Sequence, residues 1–415
     1  MNKNAIALAV GALCIAPAAA QAQIVFGNDT LGTMQVYGKL YPEAIYATSS
    51  GATQPGTSVS TLVSTTGTLG GTAPIATPGS RLAVDSQNSY LGFRGERKLG
   101  STGLKGLWQL EQAINIDTGT GTSFSSRNSF LGLAGGFGTI KLGHMDTIYK
   151  EYGAAVGILG LSSGNFVSPS SILSKSAAGS KNSSFHLRAS NTIQYQSPEF
   201  SGVQLGLQYS PDETKNDLPN TGLNKELWSM GAKYEAGPLY VSAQYEIHKD
   251  IFGGSSNAAA SLSNAATAGA HSKDTGMRLS ATYKLGNHKL AADIAQLKYD
   301  ETGQAAGTKF KSYKSLHWDV GIESKWGGPW RTSIEYVRGQ EGTCELTVGS
   351  CSTTGLTGDM IAGGVAYDLD KQTFLFALLA KLTNGDSSLY DNWEASSPAR
   401  GADVTQGAIG MAYKF

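Results

Sequence analysis

Gly407-Ala408-Ile409-Gly410-Met411-Ala412-Tyr413-Lys414-Phe415 is the stretch on which the fold turns. Taken by twos, Phe415, Tyr413, Met411, Ile409 and Gly407 share one face of a strand, and Lys414, Ala412, Gly410 and Ala408 share the other. One face is apolar and ends in aromatics; the other is small or charged. A strand of a lipid-spanning barrel needs this arrangement, with an apolar exterior, an aromatic at the interface and a polar lumen. The rest of the chain is therefore read for a barrel.

Alternation recurs along the sequence. Leu239, Val241, Ala243, Tyr245 and Ile247 oppose Tyr240, Ser242, Gln244, Glu246 and His248. Met277, Leu279, Ala281, Tyr283 and Leu285 oppose Arg278, Ser280, Thr282 and Lys284. Leu316, Trp318, Val320 and Ile322 oppose His317, Asp319, Gly321 and Glu323. Period two with a charged inner face is a strand pattern, and no helical period competes with it. Short connectors with turn chemistry, such as Gly135-Gly136-Phe137-Gly138, Ala236-Gly237-Pro238 and Gly327-Gly328-Pro329, alternate with long Gly/Ser/Thr/Ala-rich ones. The long ones run at 48–81, 147–187, 251–272, 340–356 and 384–403. The spacing predicts about sixteen strands in an all-β, antiparallel transmembrane β-barrel, with short periplasmic turns, long extracellular loops and the first strand (34–46) closed against the last. At that size the lumen has room for water rather than only packed side chains.

The N-terminus reads as an export signal. Lys3 supplies charge, Ala5 to Cys14 an apolar run and Ala20-Gln21-Ala22 a cleavage site, so 1–22 is expected to be a signal peptide and 23–415 one barrel domain. The only other apolar run, Phe374 to Ala380, is far too short for a spanning helix. Formal net charge is zero with 15% charged residues, which argues against nucleic acid as a partner. Mean hydropathy is slightly negative; a membrane protein of that kind must be polar inside, which only a closed barrel achieves. After the signal two cysteines remain, Cys344 and Cys351, close together in a Gly/Thr/Ser-rich stretch and expected to form a small disulfide. No cofactor or metal is implied.

Several segments resemble the general diffusion porins of Gram-negative bacteria, of the beta-proteobacterial type. They are Val36-Tyr37-Gly38, Leu91-Gly92-Phe93-Arg94-Gly95-Glu96, Gly103-Leu104-Lys105-Gly106-Leu107-Trp108-Gln109-Leu110-Glu111, Arg127-Asn128-Ser129-Phe130-Leu131-Gly132-Leu133, Phe137-Gly138-Thr139-Ile140-Lys141-Leu142-Gly143, Asn191-Thr192-Ile193-Gln194-Tyr195-Gln196-Ser197-Pro198 and the terminal Phe415. The resemblance implies an outer-membrane homotrimer whose third extracellular loop, here 147–187, folds inward to narrow each pore. It also implies a row of wall arginines facing acids on that loop. Arg127 and Arg188 match two of them. Tyr90 and His144 stand where the family usually has arginine, and Asp146 and Glu151 are the candidate acids. With Arg94, on the same strand face as Tyr90, and Glu111, these residues form the expected pore constriction. A phenol and a mostly neutral imidazole in place of two guanidinium groups should weaken anion preference. If His144 lines the constriction, selectivity should drift toward anions below about pH 6.

Plainer readings stand beside these. Arg127 and Arg188 can simply pair with lumen acids such as Glu111, and His248 and His317 read as ordinary lumen groups. Trp318, Trp326, Trp330 and Tyr336 read as an aromatic girdle. Asp117-Thr118-Gly119 and Asp274-Thr275-Gly276 echo the paired loops of aspartic proteases, but the second lacks the flanking residues, so no enzyme is expected. The sequence points to a channel for passive diffusion of small hydrophilic solutes and ions. The alternatives are a channel of the same fold preferring small carboxylates, phosphate or sugars, and a surface receptor or adhesin barrel.

Overall fold

The computed structural model describes residues 24–415 apart from 29–31, 61–66, 69–70, 72, 78, 87, 121–123, 154–156, 158, 160–164, 179–183, 212, 214–222, 254–263, 265–268 and 393–397. The expected signal, 1–22, lies outside the described residues. The described chain closes into a sixteen-stranded antiparallel barrel with almost no helix.

β1 comes in two pieces, Gly32–Leu40 and Glu43–Ser50, and β2 in Arg81–Asp85 and Tyr90–Lys98. Then follow β3 (Lys105–Ala113), β4 (Ser129–Gly135), β5 (Gly138–Asp146), β6 (Arg188–Gln196), β7 (Val203–Ser210), β8 (Glu226–Ala236) and β9 (Leu239–Lys249). β10 (His271–Leu285), β11 (His288–Thr302) and β12 (Phe310–Lys325) are the long strands. β13 (Trp330–Gly339, prolonged by Thr343–Leu346), β14 (Gly358–Asp368), β15 (Thr373–Asn384) and β16 (Asp403–Lys414) complete the wall. Each strand pairs with its sequence neighbour. The break in β1 falls at Tyr41-Pro42, where proline offers no N–H to a ladder; β2 breaks at the same level, and Ser89 Oγ accepts the Tyr41 N–H at 2.8 Å.

β16 closes the cylinder against β1 in the register Asp403↔Ser50 to Gly410↔Glu43, and then Tyr413↔Leu40 and Lys414↔Lys39. Phe415 finishes the seam: its carbonyl accepts Gly38 N–H at 2.9 Å and its N–H donates to Gly38 O at 3.1 Å. A Cβ on Gly38 would stand 2.7 Å from the Phe415 ring, so the close approach requires glycine there. Past the end of β16, Ile24–Asn28 pairs with Val36 to Gly32 and continues the same line. Closure leaves this edge without the unpaired backbone groups that lipid cannot satisfy.

The two faces of the wall differ as the alternation predicts. On β10 the outward Met277, Leu279 and Tyr283 are 53%, 56% and 45% exposed, whereas the inward Arg278, Ser280 and Thr282 are 5%, 1% and 6% exposed. A lumen open all round would leave inward residues wet; their burial shows that something covers them. The cover is the loop between β5 and β6. It contains α1 (Ile148–Gly153) and α2 (Ser170–Leu173) and lies inside the barrel, with α1 against β7 to β10 and α2 against β12 to β14. Its Tyr149, Leu159, Phe166, Ile172 and Phe185 are 2% exposed or less and pack in one cluster with Tyr299, Tyr313, Val337, Met360, Leu382 and Val404 of the wall. The roomy lumen anticipated from strand number alone is therefore filled on one side by apolar side chains that the loop brings with it.

Candidate functional site: a charged wall beside the third loop

The uncovered side of the lumen is lined by the Gly32–Leu40 half of β1 and by β2 to β6. In β1, β2 and β3 the register places Gln35 opposite Arg94 and Tyr37 opposite Gly92, and Gly92 opposite Glu111 and Arg94 opposite Gln109. All of these fall on the face opposite Val36, Leu91, Phe93 and Leu110, the apolar outer side. The Tyr37 ring lies over Gly92, where a Cβ would come within 2.3 Å of it. That glycine lets the Tyr37 hydroxyl reach Glu111 Oε2, to which it donates at 3.0 Å.

Glu111 is the hub. Its Oε1 accepts from Arg127 Nε at 2.5 Å, and Arg127 Nη1 donates to Asn88 Oδ1 at 3.0 Å. The Arg127 guanidinium lies 4.8 Å from the centre of the Tyr90 ring, and Arg94 lies 4.6 Å from that of Tyr37. The two tyrosine rings meet edge to face at 6.1 Å. Arg94 Nε donates to Gln35 Oε1 at 2.5 Å. Two cations, two aromatic faces and one carboxylate thus form one connected patch; both cation–ring contacts are favourable in such partly desolvated surroundings.

A second patch sits where β5 turns into the loop. Asp146 Oδ1 takes Arg188 Nη2 and Lys150 Nζ, each at 3.0 Å. Asn128 binds the two strands together: its Oδ1 accepts from Arg188 Nε at 2.8 Å and from the Asp146 N–H at 2.8 Å. Lys150 reaches Asp146 because α1 starts at Ile148, which sets the pair four residues apart. Burial, partly offset by Asp146, lowers the Lys150 ammonium below its ordinary range. Glu151 Oε1 accepts from Gln196 Nε2 at 2.8 Å.

Of the eight residues expected at the constriction, Tyr90, Arg94, Glu111 and Arg127 form the first patch and Asp146 and Arg188 the second. Glu151 binds the β6 wall, and His144 Nδ1 bonds Ser190 Oγ at 2.9 Å where β6 bulges. Sequence reasoning missed Tyr37, Asn128 and Lys150. Tyr37 was findable, since its parity matches that of Gln35 and Lys39. Lys150 was not, because nothing in the sequence announces that a helix begins at Ile148.

The opposite wall is charged as well, but its charges hold the loop rather than line the opening. Arg278 makes a two-point contact with Asp293, at 2.7 and 2.9 Å, and donates to Gly153 O at 3.0 Å. Leu159 N–H donates to Glu323 Oε2 at 2.8 Å, and Lys289 Nζ to Gly157 O at 2.9 Å. The loop also reaches the second half of β1, where Asn165 Nδ2 donates to both oxygens of Glu43, and Asn392 Nδ2 donates to Phe166 O at 2.9 Å. His248 and His317 are fully buried: His248 Nε2 contacts Glu246 Oε1 at 2.9 Å, and His317 Nε2 contacts Ser315 Oγ at 2.7 Å. Trp326 and Trp330 stand 53% and 47% exposed beside the β12–β13 turn, as an interfacial girdle requires. Asp117 lies in a turn after β3 and Asp274 in β10, on strands that do not adjoin, so the two Asp-Thr-Gly segments form no carboxylate dyad. Cys344, in the prolongation of β13, is bonded to Cys351 in the loop that follows, their Cα atoms 6.0 Å apart.

Comparisons with known proteins agree with this architecture. The chain is 35% identical over 157 residues to a major outer membrane protein P.IB of Neisseria gonorrhoeae, a match covering 38% of this chain and 40% of that protein. A Neisseria lactamica protein of the same name is 36% identical over 157 residues, or 38% and 41% of the two chains. The chain thus spans about two fifths of the length of these relatives. Among solved structures, an anion-selective porin from Comamonas acidovorans superposes with a TM-score of 0.67 at 21% identity, over 92% of this chain and 100% of the other. OmpF of Salmonella typhi superposes with a TM-score of 0.58 at 18% identity, over 94% and 100%. At those identities the likeness is one of fold. The description that matches residues 7–387 is Gram-negative porin, and with that span matched the chain belongs to the Gram-negative porin family, barrels of the outer membrane.

Proposed function

We propose that the protein is a diffusion channel through which small hydrophilic solutes and ions cross the outer membrane passively, with residues 1–22 directing its export. The supporting observation is the division of the lumen: the third loop packs against β7 to β16 and the Glu43–Ser50 half of β1, and leaves the charged wall of the Gly32–Leu40 half of β1 and of β2 to β6 beside the opening. No chemistry follows from that wall, since its acids and bases are engaged with one another and with aromatic rings rather than arranged around a reacting atom. We read the assembly as a homotrimer; OmpT of Vibrio cholerae, a fold neighbour at a TM-score of 0.59, has a structure described as a trimer form.

The channel is weakly selective on this reading. Arg127 is balanced by Glu111, while Arg188 and Lys150 share Asp146. That leaves a small cationic excess, with Arg94 added, along a wall where Tyr90 offers a ring instead of a charge. Single-channel conductance and reversal potentials in planar bilayers test both statements. A conductance rising linearly with salt and a reversal potential of a few millivolts under a salt gradient are expected. A conductance that saturates with one small carboxylate, phosphate or sugar would replace this reading with that of a substrate-preferring channel.

A further inference from the structure

Two glycines stand on the inner face of adjacent strands, where a wet lumen does not call for them. Gly206 of β7 is directly opposite Gly231 of β8. The next inward residues along these strands, Gln208 and Ser229, are polar and bond the third loop. Glycine weakens a strand interior, since it packs no side chain and loses the most freedom on folding. In a strand it often marks a place where another part of the chain comes close. Here that part is α1. A Cβ on Gly206 would stand 2.7 Å from Ile148 Cδ1 and 2.8 Å from the Tyr152 hydroxyl oxygen. One on Gly231 would stand 3.1 Å from Ile148 Cγ2 and 3.2 Å from Tyr152 Cδ2.

These two side chains have no room to swing aside, being 0% and 1% exposed. The helix backbone is tied to the same stretch of wall. Ile148 N–H donates to Gln208 Oε1 at 3.1 Å, Tyr149 N–H to Ser229 Oγ at 2.9 Å, and Tyr152 O accepts from the Tyr240 hydroxyl at 2.5 Å. A side chain added at either glycine therefore moves α1 as a body, away from the wall and toward the open lumen. The distance at which a helix packs depends on the side chains at the contact, and two facing glycines allow the smallest one. The helix carries charge with it, since Lys150 reaches Asp146 and Glu151 reaches Gln196 from the same turn. The loop's return is seated in the same way: a Cβ on Gly276 of β10 would stand 2.7 Å from the Phe185 ring.

We propose that Gly206 and Gly231 set the size limit of the channel. Together they form a notch in the inner wall that takes Ile148 and Tyr152, and the depth of that notch fixes how far α1 stands out into the open part of the lumen. Neither glycine touches a permeating solute; both are positioning residues that act through the helix. The notch stands on the contacts themselves, while its effect on what passes rests on the diffusion reading.

The test fills the notch one methyl group at a time in the full-length barrel, with closure checked by the mobility of unheated protein on a gel. Single-channel conductance in planar bilayers and swelling of proteoliposomes in sugars of increasing size are the readouts. Conductance should fall in Gly206→Ala and further in G206A/G231A, to roughly half in the double variant, because conduction through a constriction follows its open area. Uptake should fall more for large sugars than for small ones, which a mere loss of folded protein would not produce. I148V/Y152F removes the two atoms that Gly206→Ala would strike, so adding it to that variant should restore conductance and size dependence. Wild-type conductance and size dependence in G206A/G231A overturn the proposal. So does a larger conductance, which would mean that the loop leaves the wall instead of shifting on it, and so does the lack of rescue by I148V/Y152F. If the double variant does not close, Gly231→Ala, with the looser contacts, decides by the same readouts. A wild-type barrel that passes no current would sink the diffusion reading instead. Trypsin cleavage after Lys150, raised in Gly206→Ala and lowered again by I148V/Y152F, would still establish the notch.

Discussion

β9 and β15 are both barrel strands, yet their sequences differ in kind. β9 alternates, with Val241, Ala243 and Tyr245 outward and Ser242, Gln244 and Glu246 inward. β15 reads Thr-Phe-Leu-Phe-Ala-Leu-Leu-Ala and is apolar on both faces. Its Leu375 and Leu379 are 44% and 63% exposed to the outside, while the inward Phe374, Phe376, Leu378 and Leu382 are 5% exposed or less. Both strands lie on the covered side of the lumen. The third loop meets β9 through polar anchors: Tyr240 and Ser242 hydroxyls bond Tyr152 O, at 2.5 and 3.2 Å. Around β15 it belongs to an apolar cluster. With lipid on one side and the apolar cluster on the other, such a strand has no wet face and loses its alternation, so the Phe374–Ala380 run marks where the inner wall is covered.

The comparison is most exposed at the loop's ionic anchor. In Arg278→Met, Asp293 keeps a buried charge without its two-point partner, a loss of about 3–5 kcal/mol. The loop should come away from the wall, seen as fast trypsin cleavage within 147–187 and a larger single-channel conductance in a barrel that still closes. Wild-type protection would mean that the apolar contacts suffice alone. Those contacts are probed by Phe185→Ala. The ring stacks on His248 at 4.6 Å and meets Tyr149 and Tyr299 at 5.9 and 6.0 Å, and truncating a buried Phe costs about 3–5 kcal/mol where the site cannot collapse. The same two readouts should shift less than in Arg278→Met, because the backbone anchors remain.

On the open wall the effects are smaller and electrical. Glu111→Gln removes the carboxylate that balances Arg127, a change of one charge, worth roughly 1 kcal/mol at about 4 Å in water. A few-fold shift of the reversal-potential permeability ratio toward anions is expected, with conductance little changed. A shift toward cations would show that Arg127 does not face the permeating ions.

Acid should loosen the covered side. His186, at the end of the loop, has no hydrogen-bond partner for either ring nitrogen among the described residues. Burial, reinforced by Lys150 of α1, Arg278 of β10 and Lys175 of the loop and opposed by Asp146 of β5, pushes its imidazole well below the ordinary value. A detached loop would bind a proton near pH 6.5, whereas the packed one does not. Packing is therefore fully stable above that pH and weakens as pH falls below it. Trypsin cleavage of pre-acidified protein should rise between pH 6.5 and 5, and His186→Phe should flatten the rise. The smallest effect belongs to C344S/C351S. The bond closes a ring with a sequence separation of 7 residues, worth about 2–3 kcal/mol by chain entropy, and its cysteines pack at the edge of the apolar cluster, away from the charged wall. Heat resistance of the folded band should fall by a few degrees, while conductance stays near wild type.

Much of this was legible in one dimension. Strand parity placed Tyr90, Arg94 and Glu111 on the inner face, because a period of two leaves no other choice once Leu91 and Phe93 face lipid. Turn chemistry at Ala236-Gly237-Pro238 and Gly327-Gly328-Pro329 divided the chain where the strands divide. His144 shows the limit: its strand pairs with β6 across a register shift between Gly143 and Met145, and parity counted along one strand says nothing about a bulge in its neighbour.

By itself the sequence determined the cylinder, since alternation, punctuation and a closing aromatic strand admit only one way to satisfy every backbone group in lipid. It did not determine which part of the inner surface faces water. That was decided by where the third loop lies, through contacts such as Phe185 on His248 and Arg278 on Gly153 that join residues far apart in the chain. Such contacts depend on the barrel having already closed, and no local pattern encodes them.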